Sequence, residues 1–213
     1  MSTTMQETEP AVHAPHQQRA VVPPSGDPTI LGLPIFAVGS IALAFTLVGY
    51  VPSAAGGVII PVIFAATGLG LAISTIWAAA LGQTMVACIF GLFAGFWFSL
   101  AILLLGLEHN WLAIPAAAVT KSVALYLISW AIVFAVLTIA TLRLPVSFTV
   151  VIALVVLALV LRTIGVLEAS TTANTIAGVV AFVFAAIGLY LFLNSAEGAT
   201  GGSGMPLGPP LRR

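Results

Sequence analysis

The chain has 213 residues, of which 61% are hydrophobic and 6% charged, with a mean hydropathy of +1.20. About a quarter of the residues of an ordinary soluble domain are charged, so water is excluded as the solvent for most of this chain and a lipid bilayer is implied as its partner. The formal net charge is zero and the basic residues form no cluster beyond the pair Arg212-Arg213, which excludes a nucleic-acid partner.

Residues 1–27 are rich in Pro, Gln, Thr and His and carry Glu7 and Glu9 where a signal peptide would be basic. They are expected to form a disordered polar N-terminal tail. From Pro28 to Leu107 there is no Asp, Glu, Lys, Arg or His, a stretch long enough for three membrane helices at about 20 residues each. Breaks at Pro52-Ser53 with Gly56-Gly57, at Gly82-Gln83-Thr84, at Glu108-His109-Asn110 with Pro115, at Arg143 with Pro145 and at Glu168 to Asn174 divide the apolar sequence. They predict spans over 31–51, 58–80, 86–107, 119–141, 146–166 and 173–194, with Pro34 and Pro61 in the first turns of their helices. In hydrocarbon every backbone group must be paired within the protein, and no barrel-like alternation is present, so the spans must be α-helical. The expectation is an all-α integral membrane protein in which residues 28–194 form one bundle of six transmembrane helices. Residues 195–213, with Gly201-Gly202-Ser203-Gly204, are expected to form a disordered Gly/Pro-rich C-terminal tail.

An even number of spans places both termini on one side. Arg19, Arg143, Arg212 and Arg213 then oppose Lys121 and Arg162, which favours cytoplasmic termini in a multi-pass protein of the cell membrane. Small residues recur at four-residue spacing at Ala87, Gly91 and Gly95 in the third span and at Ala177, Ala181 and Ala185 in the sixth. Such ridges serve close helix packing, inside the bundle or between copies.

No catalytic constellation is present. An intramembrane hydrolase needs a nucleophile and a base inside the bilayer, but His13, His16 and His109 lie in a tail or loop and no carboxylate lies deep in a span. Neither metal-ligand spacing nor axial histidines occur, so no enzyme activity, metal or cofactor is expected. Cys88 reads as a small packing residue. Lys121 and Arg143 sit where long side chains snorkel to headgroups, whereas Arg162 lies inside the fifth span and could meet an anion in an outer vestibule. The third span is crowded with Phe90, Phe93, Phe96, Trp97 and Phe98, which suits core packing or the lining of a narrow pore that gates by dewetting.

The run Asp27-Pro28-Thr29-Ile30-Leu31-Gly32-Leu33 followed by Phe36 resembles the signature that opens the first helix of the acetate uptake transporter family, the succinate-acetate permeases. Gly82-Gln83-Thr84 with Phe90 and Phe96-Trp97, Tyr126 with Trp130, Thr141-Leu142-Arg143, and Tyr190 with Asn194 fall at that family's spacing, so the resemblance covers residues 27 to 194. The sequence departs from the family pattern at Ala44, Leu71, Ala78 and Leu193, where members carry Asn, Gln, Glu and Glu. The resemblance implies a homo-oligomer, a hexamer, with one central pore per protomer carrying acetate, succinate or similar carboxylates, often together with a proton. It implies a pore constriction at Phe36, Phe93 and Val155; the substrate path expected with it runs along Asp27, Pro28, Leu31 and Gly32, past the hydroxyls of Thr84, Tyr126 and Ser129, and to the charge of Arg162.

The function expected is a transporter or channel for small monocarboxylates. The alternatives are a channel for small neutral solutes such as urea, amides or ammonia, and a membrane interaction protein that transports nothing.

Overall fold

The computed structural model describes residues 25–212. The expected N-terminal tail up to residue 24, with His13, His16 and Arg19, lies outside the described residues, as does Arg213. Six helical spans long and apolar enough to cross a membrane follow one another, bounded by Thr29–Leu47, Ala55–Ala80, Thr84–Glu108, Ala116–Ala140, Val146–Leu167 and Thr171–Ala199. The regular helices are α1 (Thr29–Leu47), α2 (Leu69–Ala80), α3 (Thr84–Glu108), α4 (Val119–Ala140), α5 (Val146–Leu167) and α6 (Thr171–Ala199). A protein with these spans is a multi-pass membrane protein, as lipid-driven helix formation requires.

The predicted ends differ most at the first and last spans. α1 stops at Leu47, four residues early, because Gly49 takes a φ of +80° and closes a Schellman motif. Gly49 N–H donates to Thr46 O at 3.2 Å and Tyr50 N–H to Phe45 O at 3.0 Å, while the Phe45 and Tyr50 rings meet at 5.0 Å. α6 instead runs past residue 194 to Ala199, where Gly201 (φ +86°) ends it in the same way.

The expectation of a disordered tail from residue 195 also differs from what is found. Residues 200–212 fold back along the bundle because their backbone groups find partners on α5, α6 and the α4–α5 turn. Leu207 O accepts from both the N–H and the hydroxyl of Ser147, Pro206 O accepts from Tyr190 OH at 2.8 Å, Met205 N–H donates to Asn194 Oδ1 at 2.7 Å, and Arg212 N–H donates to Leu142 O at 2.9 Å. A low-complexity composition does not forbid this order, because the strap pairs backbone groups more than it buries side chains.

The second span is not one regular helix. It begins as a 3-10 segment, Ser53–Ile59, passes through π-helical Val62–Gly68 and only then becomes α2. Pro61 sits at the change of register inside the span, beyond the first turn expected for it; it has no N–H and its ring crowds the turn before it. Pro34 is likewise one turn inside α1.

α1 packs between α2 and α6, α6 against α5, and α5 against α4, while α3 packs on α2. The circuit closes between α3 and α4 through large side chains, with Phe96 against Tyr126, Trp130 and Phe134 at ring distances of 6.0, 5.7 and 5.9 Å. The small-residue ridges serve contacts inside the bundle. Ala177, Ala181 and Ala185 are fully or almost fully buried, and Gly91 and Gly95 lie against Thr75 and Trp130. Thr29 Oγ1 on α1 and Ser195 Oγ on α6 share a 2.6 Å hydrogen bond, which places the two ends of the membrane domain on one side.

Candidate transport path

Two cavities occupy opposite ends of the bundle. The first, about 180 Å³, lies among the starts of α1, α3 and α5 and the end of α6, and Thr29 is the one polar residue in its lining. The second, about 520 Å³, lies among the ends of α1, α3 and α5 and the starts of α4 and α6. Phe36 and Phe93 line the first and Val155 lines the second, so the expected constriction is divided between the walls of the two cavities. All three are buried.

The aromatic layer is larger than the sequence reading anticipated. Phe93 meets Phe36 edge to face at 4.9 Å and stacks on Phe134 at 4.6 Å, while Phe184 reaches Phe36 at 5.8 Å. Phe134 had a visible signal: Tyr126, Trp130 and Phe134 recur every fourth residue and form one stripe of α4 facing α3. Phe184 lies between Ala181 and Ala185, so the ridge itself marked its face of α6. Phe98 lines neither cavity and packs on Phe64 at 5.2 Å.

The expected substrate path is redrawn by these positions. Tyr126 does line the second cavity, with its hydroxyl donating to Phe96 O at 2.7 Å and receiving Ser99 Oγ at 3.3 Å. Thr84 and Ser129 line neither cavity and are exposed. Thr84 opens α3 at its outer turn, and Ser129 Oγ donates to Leu125 O at 2.8 Å on the outer face of α4. The inward face of α4 is set by Ala124, Leu127, Phe134 and Leu137, and Ser129 lies more than about 100° around the helix from its centre.

Asp27, Pro28, Leu31 and Gly32 also line neither cavity. They build the start of α1 instead. The Asp27 carboxylate accepts from Thr29 N–H at 2.9 Å and from Thr29 Oγ1 at 2.6 Å, satisfying helix-start donors. Pro28 is fully buried, and a Cβ at Gly32 would run into the Phe90 ring, so Gly32 lets α1 close on α3. From this segment it is Thr29, Leu33 and Phe36 that reach the cavity.

Arg162 lines the second cavity, and its Nη1 donates to Asn174 Oδ1 at 2.6 Å. Lys121 and Arg143 are exposed. Among the described residues no group of three His, Cys, Asp or Glu could hold a metal ion. Two buried polar atoms lack a hydrogen-bond partner among those residues: Thr67 Oγ1, which packs over Gly39, and Trp97 Nε1.

The sequence model of the family described as GPR1/FUN34/yaaH matches residues 7–200. A solved structure described as that of the bacterial acetate channel SatP superposes with a TM-score of 0.76, covering 86% of this chain and 99% of that chain at 22% identity, so the two share a fold. No curated protein matches the sequence.

Proposed function

Because the chain belongs to the GPR1/FUN34/yaaH family, in agreement with the acetate uptake transporter resemblance of residues 27 to 194, we propose that it is a channel or transporter for small monocarboxylates such as acetate, and not an enzyme. The observation that carries this reading is the pair of cavities at opposite ends of the bundle, with Phe36 and Phe93 lining one and Val155 the other; the barrier of this proposal is the layer these three residues would form between them. A solute entering either cavity meets that layer, and thermal displacement of the rings would let a small molecule pass while holding water back. Size selection favours short-chain acids, because a longer chain would need more rings to move together. The solved acetate channel of the same fold supports the choice of substrate.

The nearly wholly apolar lining of the first cavity favours passage of the protonated acid on that side, and a proton travelling with the carboxylate follows from it. The same lining favours the second reading, a channel for neutral solutes such as urea or amides. A hexameric assembly and cytoplasmic termini belong to this proposal; Arg143 and Arg212 lie on the side where the ends of α1 and α6 meet.

The test is labelled acetate entry into vesicles containing the purified protein, from mildly acidic to neutral pH. Entry faster than into protein-free vesicles is expected. Equal entry at every pH, with urea entry that is accelerated, would replace the first reading by the second.

A further inference from the structure

We propose that Arg162 and Asn174 form a carboxylate-binding site in the second cavity, which selects anionic solutes over neutral ones before they reach the aromatic layer; this rests on the transport reading above. Arg162 projects from the last turns of α5 into the cavity, and Asn174 faces it from the first turn of α6. Their hydrogen bond uses a single guanidinium nitrogen, Nη1. The remaining N–H groups of the fork stay available, and a guanidinium fork matches the two oxygens of a carboxylate.

The partner is an amide, so the cation is oriented without being neutralised. Among the described residues no Asp or Glu lines the cavity. Among the described residues, the carboxylates at this end of the bundle are Glu108, which lies against Gly57, and Glu168, the C-cap of α5; both are exposed. A cation without a counter-ion in a low-dielectric recess concentrates anions. The start of α6 at Thr171 lines the same cavity and adds the positive end of a helix dipole. Val155, Ala158 and Leu159 line the same cavity from α5 and suit a short alkyl group, which makes a small monocarboxylate the ligand class.

Gly165 belongs to the same device. A Cβ there would run into Asn174 Oδ1, so its absence is what lets the amide cross from α6 to α5. The charge of Arg162 marks it in the sequence, whereas Asn174 sits in the helix-breaking run that follows Glu168.

The experiment uses the full-length protein in vesicles and compares labelled acetate with its neutral analogue acetamide, alongside the thermal stabilisation of detergent-solubilised protein by acetate. Arg162→Gln is expected to lower the acetate-to-acetamide permeability ratio at least about tenfold, or ~1.4 kcal/mol, and to abolish stabilisation by acetate. Asn174→Asp supplies an internal carboxylate and is expected to do the same with the cation retained. Arg162→Lys should keep part of the ratio. A ratio that stays within about twofold in both Arg162→Gln and Asn174→Asp, with acetate entry still faster than in protein-free vesicles, would overturn the site and leave the transport reading intact. Stabilisation by acetate that depends on Arg162, without flux, would do the reverse.

Discussion

The Phe93 ring on α3 meets Phe36 on α1 edge to face at 4.9 Å, and both rings line the first cavity. Neither ring has a polar group, so the contact resists water and ions together. Phe93→Ala should raise acetate flux per folded molecule and weaken discrimination by solute size. Loss of its contacts with Phe36 and Phe134 should also destabilise the protein by up to about 3–5 kcal/mol, so flux is compared after measuring folded protein by size exclusion. Phe98→Ala, away from both cavities, should leave flux nearly unchanged.

Hydroxyl substitutions separate the residues that reach the path from those that do not. Tyr126→Phe removes the donor to Phe96 O beside the second cavity and should alter acetate flux. Ser129→Ala and Thr84→Ala change exposed groups and should leave flux at the wild-type level in the same vesicle assay.

The buried Thr67 hydroxyl has no hydrogen-bond partner among the described residues. Thr67→Val keeps the shape and removes the unpaired group, so stability should rise by about 1 kcal/mol. Thermal unfolding in detergent checks the sign.

Gly49 has a φ of +80° and open space where a Cβ would point. Gly49→Ala should therefore cost only the backbone penalty, about 1–2 kcal/mol. Gly56→Ala, also in open space but without a positive φ, should cost much less in the same unfolding assay.

The six spans were legible in the sequence because lipid leaves the backbone no alternative to helix and every loop carries Gly, Pro or charge. What was not legible depends on side-chain direction and tertiary partners. Ser129 sits two residues beyond inward-facing Leu127, and only the rotation of α4 decides that it points outward. The signature around Gly32 was recognisable, yet its use in bringing α1 to Phe90 required the neighbouring helix. The departures at Ala44, Leu71 and Ala78 gain meaning in the fold, since all three are fully buried. Apolar residues there leave no polar group to satisfy, in contrast to Thr67. Nothing in the strap's own composition reveals the donors on Ser147 and Tyr190 or the acceptor on Asn194.

The central claim is that acetate crosses between the two cavities through the layer at Phe36, Phe93 and Val155. It is tested most directly by placing a single cysteine at Val155 in a Cys88→Ser background, since Cys88 is an exposed free thiol, and measuring labelled acetate uptake into vesicles before and after reaction with a bulky thiol reagent. Uptake is predicted to exceed that of protein-free vesicles before reaction and to fall to their level after it. Uptake that persists after complete modification would contradict a path through this layer.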